Sequence, residues 1–145
     1  MILSGGQRDL LATARRATLA TIDPRGRPRL VPICFVVVDD GGRTVLVSPL
    51  DEKPKAGADP LDLARVRDIA ARPDVTVLVD RWSEDWTELA WLRCAGRAAI
   101  VPVGDPAVIA TLRAKHPQYT SHDLEHRPSI RIEIESVVGW GIADG

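Results

Sequence analysis

From Ala17 to Val38 the chain reads Ala-Thr-Leu-Ala-Thr-Ile, then Asp-Pro-Arg-Gly, then Arg-Pro-Arg-Leu-Val-Pro-Ile-Cys-Phe-Val-Val-Val. Asp23-Pro24-Arg25-Gly26 places proline at the second and glycine at the fourth position of a turn, so two apolar runs meet across a tight reversal. The stretch predicts a β-hairpin, with a short strand over 18–22 and a longer one over 28–38. The near-continuous apolar character of the second strand predicts burial on both of its faces.

The remaining segments extend this β pattern. Asp39-Asp40-Gly41-Gly42 is a hairpin signal, because Asp and Gly accept the positive φ such turns need, and Thr44 to Ser48 reads as a third strand. Pro49 to Ala58 reads as a loop. Asp59 then caps, and Pro60 begins, a helix in which Leu63, Val66 and Ile69-Ala70 recur at helical spacing until Pro73. Val75 to Val79 and Leu89 to Val103 read as neighbouring strands, with Gly96 marking a bulge or bend. Asp105-Pro106 opens another helix through Val108, Ile109 and Leu112, and Ile130, Ile132 and Ile134 alternate with charged residues in a final half-buried strand. At the N-terminus, Ser4 and Gln7 have the spacing of a capping box, which predicts a helix over 6–16 that lids one end of the fold. Six strands and three helices predict a mainly β protein with flanking helices, an antiparallel barrel in a single domain spanning 1–145.

At 145 residues such a domain buries about 70% of the surface its unfolded chain exposes, so it needs no disulfide staple. Cys34 and Cys94 lie in apolar runs, which predicts buried free thiols and a reducing, cytoplasmic setting. The first 16 residues carry Arg8, Asp9, Arg15 and Arg16, which argues against a signal peptide or a membrane span. A formal net charge of -1 provides no general field toward nucleic acid or anionic lipid, so any anion site has to be local. The basic residues are 16 arginines and only three lysines, and two of those lysines, Lys53 and Lys55, flank Pro54. They are either an anion-binding pair or a solvated loop.

Four tryptophans stand against one Phe and one Tyr, and Trp82, Trp86 and Trp91 fall within ten residues. Such flat faces suit a planar ring ligand, or pack a core or a subunit contact. His116, His122 and His126 accompany Asp123 and Glu125, but their spacing matches no metal motif and reads as a polar loop. No glycine-rich phosphate loop is present, and no set of residues supports a nucleophile.

Five elements occur in a telling order: Arg-Pro-Arg-Leu-Val-Pro at 27–32, Asp51-Glu52-Lys53-Pro54-Lys55, Arg65-Val66-Arg67-Asp68-Ile69, Val77-Leu78-Val79-Asp80 and Glu84-Asp85-Trp86. Along nearly the whole chain this order resembles the split-barrel flavin and deazaflavin oxidoreductases, the pyridoxamine 5'-phosphate oxidase-like superfamily. Within it, the sequence is most similar to the coenzyme F420-dependent enzymes common in actinobacteria. The resemblance implies a six-stranded antiparallel split β-barrel of the FMN-binding type. It implies a homodimer whose barrels share cofactor sites across their interface.

Lys53 falls where the family places a phosphate-binding basic residue, with Lys55 as a second candidate beyond Pro54. Glu52 replaces a position often occupied by Arg in the FMN branch, and an acid beside a phosphate costs Coulomb energy. Two lysines, with Arg65 and Arg67 nearby, suit the phosphodiester and carboxylates of a deazaflavin tail. Val31, Pro32 and Ile33 would contribute backbone contacts, as would Ser48 and Pro49, and Trp91 would wall the ring. The implied activity is hydride transfer from reduced coenzyme F420 to an electrophilic carbon of a small conjugated substrate. The alternatives are an FMN-dependent oxidase or reductase of the same fold, or a non-enzymatic cofactor- or haem-binding protein. No catalytic residue is identifiable; Tyr119 or an ordered water could supply a proton. Neither metal, nucleic acid nor membrane is implied.

Overall fold

A computed structural model describes residues 3–50 and 59–143. The described strands are β1 (Ala17–Ile22), β2 (Pro28–Ile33), β3 (Val36–Asp40), β4 (Arg43–Pro49), β5 (Asp74–Arg81), β6 (Ala90–Val101) and β7 (Ser129–Trp140). The described helices are α1 (Gly5–Thr13), α2 (Ala64–Ala71) and α3 (Pro106–Lys115). All seven strands join one antiparallel sheet in the order β2-β1-β5-β6-β7-β4-β3.

This order makes β2 and β3 the two edges of the sheet, although only Cys34 and Phe35 separate them in the chain. Three Cα–Cα steps reach at most about 11 Å, whereas seven strands laid flat would hold their edges about 29 Å apart. The sheet therefore curls until its edges lie side by side. The closure is covalent, with no β2–β3 ladder, so the barrel is split rather than closed.

The expected six strands become seven because the run 28–38 is two strands with a bend at Cys34-Phe35. Its apolar continuity reflects a chain crossing from one edge to the other. Nor is β2 the strand buried on both faces, since Pro28, Leu30 and Pro32 are exposed. That strand is β4, in which every residue from Thr44 to Pro49 is buried. Leu46 and Leu50 point into the barrel with Leu19, Phe35, Val77, Leu92 and Ile130, while Val45 and Val47 face outward under α3 against Ile109 and Leu112.

The helices close the barrel as the sequence indicates, with shorter bounds. Ser4 and Gln7 form the reciprocal capping box, with Gln7 N donating to Ser4 Oγ at 3.2 Å and Ser4 N to Gln7 Oε1 at 2.9 Å. α1 then sends Leu10 and Leu11 into the core. Gly96 sits at the register shift between β6 and β7, and a Cβ there would lie 2.3 Å from the Glu133 carbonyl oxygen, so only glycine permits the close approach.

One buried carboxylate anchors α2 to the sheet. Asp68 is 3% exposed and accepts hydrogen bonds from Thr21 Oγ1 at 2.7 Å and Arg29 Nε at 2.8 Å. Burial alone would raise its pKa, but the bonds from Arg29 and Thr21 outweigh it and hold the carboxyl below the usual carboxylate range. A depressed carboxylate pKa contributes stability above the unfolded-state value, near 4, and loses it as pH falls through the folded-state value. Asp68→Ala should lower unfolding stability by about 1–3 kcal/mol at pH 7, since it leaves the buried Thr21 hydroxyl unpaired. Denaturant titrations at pH 7 and pH 3 check this: the gap between wild type and variant should shrink at the lower pH.

Candidate functional site

A strand exposes alternate residues, so the halves of the sheet that α3 leaves bare present a regular outer lattice. In β5, Val75, Val77 and Val79 point inward while Thr76, Leu78 and Asp80 point out. Cross-strand register aligns the outward residues of five strands in rows. One row runs Pro32, Thr18, Leu78, Arg93, Val138; the next holds Asp80, Trp91 and Trp140; a third runs Leu30, Ala20, Thr76, Ala95, Ser136. Leu30, Leu78, Val138, Trp82 and Trp140 are large apolar side chains open to solvent. Concentrated on one face, they form an exposed apolar patch.

At one end of this lattice lies a cavity of about 640 Å³, walled by Trp82, Trp91, Trp140, Leu78 and Leu89, with Asp80, Arg81 and Arg93 among its lining residues. Asp80 also borders a smaller recess of about 230 Å³ formed with Arg16, Thr18, Leu30, Val31 and Pro32. Arg81 is fixed by its Nε–H bond to the Glu88 carbonyl at 2.9 Å, and the indole N–H of Trp82 points to Glu84 Oε1 at 3.4 Å. The Arg93 guanidinium stacks on Trp91, its Cζ 5.5 Å from the ring centroid.

The residues singled out from the sequence distribute unevenly. Trp91 lines the larger cavity, and Val31 and Pro32 line the adjoining recess. Ile33 points into the barrel core. Ser48 is buried in β4, and Pro49 borders a separate cavity of about 450 Å³ under α3. Lys53, Pro54 and Lys55 lie outside the described residues. The expectation for Tyr119 as a proton donor needs correcting: it is 5% exposed in the cluster beneath α3, edge-on to His116 and His122, and lines neither the larger cavity nor the recess. Among the described residues no three His, Cys, Asp or Glu side chains gather where a metal could bind. Burial pushes the Cys94 thiol up to about 11, which leaves it inert.

Sequence reasoning missed Leu78, Asp80, Arg93 and Trp140 as neighbours of Trp91. The signal was present in the β5 and β6 alternation, where apolar residues occupy both parities. It also missed Arg29, whose Nε is held by buried Asp68 while the side chain stays 40% exposed.

The chain is similar to several solved structures at the level of fold. A protein named F420 reductase shares 22% identity at a TM-score of 0.64, with 94% of this chain and 98% of that one covered. The conserved hypothetical protein Rv2991 from Mycobacterium tuberculosis shares 20% identity at a TM-score of 0.68, covering 97% of this chain and 86% of that one. A heme binding protein from Mycobacterium smegmatis shares 19% identity at a TM-score of 0.66; the match covers 97% of this chain and 56% of that one. No curated protein matches the chain. Among the described residues no helix is long and apolar enough to cross a membrane. The sequence family described as pyridoxamine 5'-phosphate oxidase matches residues 4–141, and the chain belongs to that family.

Proposed function

We propose that this protein is an oxidoreductase that binds coenzyme F420 on the bare outer face of its sheet and transfers hydride to a small conjugated substrate. The tryptophan-walled cavity carries the reading. Its volume of about 640 Å³ falls in the range of small-molecule sites, and its walls are flat aromatic faces of the kind a tricyclic ring stacks against. Bound there, the cofactor would supply the hydride; the protein's share is binding, orientation and exclusion of water.

The described residues fit that division. Trp91 offers a wall, and edge strand β2 offers, at alternate residues within Val31, Pro32 and Ile33, backbone groups that its pairing with β1 does not use. Lys53 and Lys55, a few residues after Ser48 and Pro49, are assigned the phosphate and the outer anionic tail. The cavity is open on its outer side, so a second copy of the chain is assigned as its cover, giving a homodimer with shared sites. The cytoplasm is the compartment that fits two unpaired cysteines.

Four measurements test this reading. Titrating the purified protein with coenzyme F420 and with FMN, followed by cofactor fluorescence, should show preference for F420; tighter FMN binding moves the assignment to the flavin branch. Sedimentation should give about twice the chain mass, and a monomer that still binds cofactor sinks the shared site. Lys53→Ala should weaken F420 binding by about 1–3 kcal/mol, the scale of a lost charge-assisted hydrogen bond, and Lys55→Ala by less. Trp91→Ala should weaken ring binding; unchanged affinity with reduced thermal stability would return Trp91 to packing alone.

A further inference from the structure

Arg93 lies in the middle of the outer lattice, with Leu78 and Val138 beside it in register on β5 and β7. Among the described residues its guanidinium makes no hydrogen bond and no ion pair; its one recorded contact is the stack on Trp91. An arginine kept only for solubility extends into water. This one is exposed but lies over an indole, with Leu78 and Val138 beside it in register, on the wall of the cavity. With no carboxylate of its own, the guanidinium keeps its N–H donors available, and a guanidinium can receive a carboxylate with two parallel bonds.

The other charges lining the cavity are Asp80 and Arg81, so the lining carries two cations against one anion. Asp80 is also without a hydrogen bond or ion pair among the described residues. It faces Trp91 across the β5–β6 ladder, one diagonal step from Arg93, which places their backbones roughly 7–8 Å apart. Asp80 and Arg81 offset each other, so the lining is left with a net charge for one anionic group, at Arg93.

We infer that the tryptophan cavity takes a planar, conjugated monocarboxylate, its carboxylate on Arg93 and its plane on the Trp140 side, beside the ring assigned to the Trp91 wall. This rests on the proposed function insofar as the molecule is a substrate, and it names that substrate's class.

The test is a tryptophan-fluorescence titration of the full chain without cofactor, using cinnamate, cinnamamide and the flat dicarboxylate terephthalate. Cinnamate should quench saturably, with the amide and the dicarboxylate each at least tenfold weaker. Arg93→Met, which keeps the aliphatic stem, should weaken cinnamate at least tenfold and leave the amide unchanged; Asp80→Asn should strengthen terephthalate. Equal binding of acid and amide, or wild-type cinnamate binding by Arg93→Met, overturns the inference. So does a variant that sediments as a monomer where wild type is a dimer, because Arg93 would then serve the subunit contact. Coenzyme F420 titrated separately distinguishes the two readings: failure to bind it removes the proposed function while the cinnamate result stands or falls alone.

Discussion

The two-residue link through Cys34 and Phe35 is the constraint on which the rest of the structure depends. It forces the first and last strands of a seven-stranded sheet together, and everything at the barrel's open seam converges on it. Phe35 is fully buried. Its carbonyl accepts from His116 Nε2 at 3.2 Å, and its ring lies 3.8 Å from Lys115 Nζ. Lys115 in turn donates to the Leu11 carbonyl at 3.0 Å, while Arg15 donates to the Lys115 carbonyl at 2.6 Å. The C-terminus of α1 is thus capped by the last residue of α3, and that of α3 by a cation just beyond α1, and both are tied to the bend. Burial, with the positive charge of Arg15, lowers Lys115 to about 8. The Phe35 face and the Leu11 carbonyl offset the cost of holding that cation at neutral pH.

Curling the sheet also divides its outer surface unequally. Along β3, β4 and the first half of β7, α3 and the segment after it cover the strands, so β4 is buried on both faces. Along β1, β2, β5, β6 and the second half of β7, no described helix covers them. That bare half collects the exposed side chains of Leu30, Leu78, Val138 and Trp140. The site lies on the uncovered half, held rigid from behind by the valines of β5 and by Leu92.

Much of this was legible in residue patterns. The Ser4 and Gln7 cap, the turn at Gly26, the Gly96 bulge and the pairing of β5 with β6 follow from local chemistry that tertiary structure left untouched. The break at Cys34-Phe35 was not, because no Gly, Pro or charge marks it; a buried apolar bend and a buried apolar strand have the same composition. The length of β7 was likewise hidden: Ser136 to Trp140 belong to the bare face, where the alternation that marked Ile130 to Ile134 stops. For the site, tryptophan abundance singled out Trp91, but its neighbours Asp80, Arg93 and Trp140 come from three strands whose register only the fold supplies. Lys53 and Lys55 remain a sequence-level assignment.

The arginines show how the same residue type divides between scaffold and site. Arg29, Arg43, Arg113 and Arg131 each meet a carboxylate, at Asp68, Glu133, Glu125 and Asp40 respectively. Arg113 also reaches the Tyr119 and His122 carbonyls and so pins the segment after α3. Others, among them Arg16, Arg25, Arg27, Arg67, Arg72 and Arg97, meet no carboxylate among the described residues, so what sets Arg93 apart is its place on the cavity wall beside Trp91. Arg93 and Asp80 sit on adjacent strands of the same bare face and still do not pair, because Arg93 is drawn onto Trp91 instead. The Trp91 ring adds no negative charge, so the Arg93 cation on the cavity wall stays available to an anion from outside.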